Sequence, residues 1–92
     1  MTKKHVHTAH PDVVKRLKRA NGHLQKVIEM IESQRPCVDI AQQLHAVERA
    51  ISNAKKLVIH DHLDHCLFEI AGSGPAAMHS SIAEFKDMTK YL

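Results

Sequence analysis

Between Pro36 and Gly72 the chain contains neither glycine nor proline. Those two residues are the strongest punctuators of local structure, so nothing in this stretch obliges a helix to break. Its apolar positions, Ile40, Leu44, Val47, Ile51, Ala54 and Val58, recur in steps of three and four, and the same face continues to His62 and Cys66. The expected element is a single helix of unusual length for a 92-residue chain, since a typical helix has about 11–12 residues. Such a rod cannot enclose a core by itself.

What flanks it is also helical in pattern. Residues 1–10 form a His-bearing tail, and Pro11-Asp12 supplies a helix opening, with proline at the first helical position and an acid in the first turn. Val14, Leu17, Asn21, Leu24, Ile28 and Ile31 then define a seam with one polar interruption, so helix one is expected to run to about Gln34. Gly22 within it costs about 1 kcal/mol relative to alanine, which suggests a close backbone approach. Gly72-Ser73-Gly74-Pro75 is a breaker, and Ser81-Ile82-Ala83-Glu84 has the form of a capping box opening a short third helix. That helix is expected to turn Ile82, Phe85, Met88 and Leu92 toward a core. With no Trp, one Tyr and two Phe, the core must be aliphatic. The expectation is an all-α chain forming a single domain over residues 1–92. Two copies would pair as an antiparallel four-helix bundle, with a dimer and a dimer of dimers both open.

Thirteen Lys and Arg oppose ten Asp and Glu, yet eight of the basic residues precede residue 36. Lys15, Arg16, Lys18 and Arg19 crowd five positions; a solvated helix face is the plain reading, a phosphate-contacting patch the sharper one. With Lys26, Arg49, Lys55 and Lys56 they make a candidate positive face for DNA. No helix-turn-helix is visible, so specificity would rest on backbone contacts and DNA shape as much as on base edges. No apolar run suits a secretory signal or a membrane span, so a cytoplasmic location is expected, where two cysteines are more often ligands than a disulfide.

The segment HDHLDHC, His60 to Cys66, concentrates potential ligands. His62 and Cys66 are four residues apart and share a helix face, and a nitrogen with a sulfur suits Zn, Ni, Co or Cu rather than Mg or Ca. His60 and His65 point elsewhere, and His23, His45 and His79 read as surface or interface residues. Cys37 lies 25 residues before His62, about 37 Å along a continuous helix. It cannot join the same ion, nor form a disulfide with Cys66, within one chain. An antiparallel partner would bring Cys37 of one chain to His62 and Cys66 of the other, giving two equivalent sites. A further ligand is available from His5, His7 or His10 in the tail.

The segments RLKRANGHL, RPCVDIAQQLHAVERA and DHLDHC resemble the CsoR/RcnR family of all-helical metal-sensing repressors, and within it the DmeR-type nickel and cobalt regulators. The family's Cys, His, Cys spacing of 25 and then 4 residues is matched by Cys37, His62 and Cys66. In nickel- and cobalt-responsive members an N-terminal histidine 32 residues before the first cysteine completes the site, which falls on His5, with His7 as its substitute. The resemblance thus implies an N2S2 set of His5, Cys37, His62 and Cys66, congenial to planar Ni(II). It also implies a repressor that binds operator DNA when apo and releases it on binding Ni(II) or Co(II), derepressing an efflux gene. Where many members carry Arg-Gly on helix two, this chain has Glu48-Arg49, which shifts the basic contact by one residue or removes it.

Three other readings compete. A Cu(I) or formaldehyde sensor of the same family keeps the fold, though Cys66 argues against the formaldehyde class. A storage or chaperone bundle for metal, Zn(II) included, would lack a DNA role, which the basic first third of the chain disfavours. An enzyme is disfavoured because a closed N2S2 set leaves no position for a metal-bound water and no phosphate-cradling loop is present.

Overall fold

The computed structural model describes residues 10–72 and 74–92. They form three helices, α1 (His10–Glu32), α2 (Cys37–Gly72) and α3 (Pro75–Thr89), with no strand among the described residues. The all-α class and the three-helix order follow the expected pattern. The uninterrupted run after Pro36 becomes one helix of 36 residues.

Local chemistry explains each boundary. In the first turn of α1, Arg16 Nε donates to Asp12 Oδ2 at 2.9 Å. The guanidinium beside Asp12 holds its carboxyl below the usual carboxylate range. At the other end Gln34 takes a left-handed conformation, φ 59°. The Arg35 N–H donates to the Met30 carbonyl at 2.9 Å and the Gln34 N–H to the Ile31 carbonyl at 3.1 Å. This pair of bonds is a Schellman motif, built on glutamine where glycine is usual. Two residues later the Pro36 carbonyl accepts the Ile40 N–H at 3.1 Å and so begins α2. α3 starts on Gly74 as N-cap with proline next, and no side chain caps it.

The start of α3 corrects the expectation from Ser81-Ile82-Ala83-Glu84. Gly74-Pro75 nucleates the helix six residues earlier, so Ser81 lies inside it rather than capping it. Its hydroxyl donates instead to Glu69 Oε2 at 3.2 Å.

The chain divides into two compact units, one of Pro11–Lys55 and one holding Lys56–Leu92. In the first, Val13, Ala20 and Val27 of α1 and Val47 and Ala54 of α2 are buried, each a seven-residue step from the next on its helix. This line is displaced from the expected seam. Val14, Leu17, Ile28 and Ile31 are between 42% and 53% exposed. The small side chains let α1 and α2 approach, and the bulkier row beside them stays outside. On α2 the expected stripe splits the same way, with Val47 and Ala54 covered while Leu44 and Ile51 remain exposed. In the second unit Ile59, Cys66 and Ser81 are buried, Phe85 and Met88 are half-buried, and Ile82 and Leu92 are exposed.

Gly22 does not mark a close approach: a Cβ added there meets nothing within 4 Å. Among the described residues no helix is long and apolar enough to cross a membrane.

Two substitutions test this local account. Gly22→Ala should stabilise the protein by about 1 kcal/mol through helix propensity. Gln34→Gly should stabilise it by a few tenths to about 1 kcal/mol, the left-handed strain relieved less the extra freedom of the unfolded chain. Both are read as a raised urea midpoint at unchanged m-value; a lowered midpoint for either contradicts the local geometry.

Candidate metal centre

His62 and Cys66 lie one turn apart on α2, and α3 brings Glu84 against them. One donor atom from each of His62, Cys66 and Glu84 lies within 4.8 Å of the others. Cys66 is 1% exposed. His62 Nε2 stands 2.7 Å from Glu84 Oε1. A second contact between the same helices runs beside it. His65 Nε2 is 3.2 Å from Glu69 Oε1, while the other carboxylate oxygen of Glu69 accepts the Ser81 hydroxyl. The rings of His62 and His65 are 6.4 Å apart.

The thiol and imidazole fit a borderline transition metal; Cys66 is buried, His62 partly buried, and Glu84 stands exposed at the edge of the cluster. The Glu84 carboxylate at His62 Nε2 holds the ring in place, as carboxylates commonly do for metal-ligating histidines. Burial pushes the Cys66 thiol up from its ordinary value, and the charges of Glu84 and Glu69 push the same way. A nearby cation reverses that balance, because only the thiolate ligates.

The residues expected to share the site are distributed unevenly. His62 and Cys66 come together. Cys37 is exposed at the first position of α2 and is not part of the cluster. His5 and His7 lie outside the described residues, and His10 is the first residue of α1. His60 is exposed and His65 half-buried against Glu69. Glu84 was not anticipated, because its spacing from Ser81 reads as a helix cap. Its real partner is eighteen or more residues back in sequence, a separation that carries no periodic signal. The candidate DNA contacts Lys15, Arg16, Lys18 and Arg19 on α1, and Arg49, Lys55 and Lys56 on α2, are all exposed.

Comparison with known proteins places this chain in a family. The family model described as "Metal-sensitive transcriptional repressor" matches residues 9–91. The chain is 40% identical over 73 residues to the copper-sensing transcriptional repressor CsoR of Mycobacterium ulcerans, covering 77% of this chain and 62% of that one. It thus spans less than two thirds of the length of its mycobacterial CsoR relatives. It is 35% identical over 80 residues to CsoR of Bacillus subtilis, covering 85% of this chain and 79% of that one. Among solved structures, the nickel-responsive transcriptional regulator InrS is similar, with a TM-score of 0.83 at 28% identity, over 98% of this chain and 100% of that one.

The two thiols should differ in reactivity in chelator-treated protein. Cys37 is exposed, while Cys66 is buried and held protonated, so iodoacetamide should modify Cys37 several-fold faster at neutral pH. Equal rates, followed by mass spectrometry of the peptides, would contradict the burial of Cys66.

Proposed function

This chain belongs to the metal-sensitive transcriptional repressors, and from that premise we propose that it represses transcription by binding operator DNA in its apo form and releases the DNA on binding Ni(II) or Co(II). The gene derepressed would be a metal exporter. The observation that carries the sensing role is the clustering of a buried Cys66 and a partly buried His62 on one face of α2. Metal chemistry at that place needs further ligands, and we assign them to Cys37 of a second copy and to His5, with His7 as substitute. A bound ion supplies a cross-link between these groups.

The remaining steps belong to the chain's own residues. Glu84 orients the His62 ring. Burial raises the Cys66 thiol above its ordinary range, so a bound cation would have to displace its proton to gain the thiolate as a ligand. The exposed Lys15, Arg16, Lys18 and Arg19 contact phosphates, with Arg49, Lys55 and Lys56 adding to the positive face. Linkage then requires that metal and DNA oppose each other's binding equally. The protein acts as a regulator in the cytoplasm rather than as an enzyme.

The partner copy has a surface to meet. Val14, Leu17, Ile28 and Ile31 of α1, with Leu44 and Ile51 of α2, leave an apolar face uncovered in the single chain. Faces of this kind mark association sites, and we assign this one to a homodimer that pairs further into a tetramer.

A second reading has its own support. The curated relatives are named as copper sensors, which favours Cu(I) held by Cys37, His62 and Cys66 without the tail. The His-bearing N-terminus and the likeness to a nickel-responsive regulator favour Ni(II).

Gel shift with and without stoichiometric Ni(II) tests the proposal: DNA affinity should fall by about 5- to 150-fold, the usual range of allosteric coupling. Unchanged affinity with Ni(II), Co(II) and Cu(I) alike rejects it. The His5→Ala/His7→Ala double variant should lose the Ni(II) response; a retained Cu(I) response with no Ni(II) response in the parent selects the copper reading. Ile28→Glu should reduce the mass seen by light scattering, and an unchanged mass would remove the apolar face from the interface.

A further inference from the structure

We infer that the trough between α1 and the first half of α2 seats one strand of the nucleic-acid backbone, so that phosphate contacts extend past Lys15–Arg19 to His23, Lys26 and Arg35. The inference rests on the repressor reading above and assigns that reading a specific groove.

Arg16, Arg19, His23 and Lys26 recur on α1 in steps of three, four and three, which makes them one stripe. At 100° per residue this stripe flanks the buried line of Val13, Ala20 and Val27 on one side, while the exposed apolar row flanks it on the other. The basic side borders a hollow of about 790 Å³, lined by Arg19, Gly22, His23, Lys26, Arg35 and Gln43 among others. A smaller hollow of about 190 Å³ shares Arg19 and His23 with it and adds Arg16, Ala20, Ala50 and Asn53. The two therefore form a continuous trough with basic walls and a floor of small residues. Across it His23 Nε2 and Gln43 Oε1 lie 2.6 Å apart, which makes the floor polar. His23 is thus part of a groove and not an isolated surface residue.

Charge selects the occupant. Arg16 is engaged by Asp12 at 2.9 Å, and Arg35 stands 3.7 Å from Asp39. Arg19 and Lys26 have no ion-pair partner among the described residues. The acid in the lining is Glu29. A second copy of the chain seated here would bury those cations unpaired, which is costly, and a hydrophobic ligand would meet charged walls. A phosphodiester strand neutralises them and gains by counterion release. From Arg16 to Lys26 the stripe rises about 15 Å, long enough to face more than one phosphate of a strand.

The test uses the whole metal-free protein and a mixed-sequence DNA duplex several helical turns long, with affinity followed across a salt series. Lys26→Ala and Arg35→Ala should each flatten the plot of log affinity against log salt by about 0.9 per bound copy. Lys86→Ala, on α3, should leave the slope at its parent value, and light scattering should give all variants the parent mass. If the parent binds but neither groove variant changes the slope, the groove is not a phosphate seat and the repressor reading stands. A lower mass for the groove variants overturns the inference in favour of an interface between copies. A parent that fails to bind any duplex overturns both readings together.

Discussion

The length of α2 governs everything else in this protein. Of 92 residues, 36 lie in one helix without a break, and residues 25 apart on a helix are separated by about 37 Å of rise. Cys37 and the His62–Cys66 pair therefore cannot serve one ion inside a single chain. A site that uses all three has to be assembled from two copies, and that is the proposed route by which metal binding reaches quaternary structure.

The packing of α1 on α2 is consistent with the same demand. The buried line of the first unit is made of Val13, Ala20, Val27, Val47 and Ala54, all small or medium side chains. The larger Leu17, Ile28, Ile31, Leu44 and Ile51 stand beside it, largely uncovered. A chain this short buries too little by itself to be comfortably stable, and the exposed row provides further apolar area for a second copy to cover. On the other side of the buried line the surface is basic. One helix pair thus presents two chemically opposite flanks, one suited to self-association and one to a polyanion.

Much of this architecture was legible in the sequence because helical patterns are local. The breaks at Pro36 and Gly72–Pro75, the order of three helices and the shared face of His62 and Cys66 all follow from spacing. The seam of α1 was read one residue away from the buried line, because the pattern marks large apolar residues whether a neighbouring helix or a partner chain covers them. Ala20, which allows the close approach, carries little hydrophobic signal, whereas Ala54 falls on the stripe of α2 that the spacing marks. Glu84 was hidden for a different reason. Its contact with His62 joins two helices, and the Ser81–Glu84 spacing offered a local explanation that the start of α3 at Pro75 displaced. The tail ligands His5 and His7 lie outside the described residues and rest on the resemblance alone.

The proposed sharing of ligands between chains is the claim on which the switch depends, and complementation tests it most directly. A Cys37→Ala chain and a His62→Ala/Cys66→Ala chain should each bind Ni(II) poorly alone. Mixed and reassembled, a heterodimer places the intact Cys37 of one chain beside the intact His62 and Cys66 of the other, and restores one of its two sites. The account predicts that thiolate-to-metal absorption returns in the mixture. Absorption no greater than the sum of the two separate proteins, with heterodimer formation verified, would contradict it.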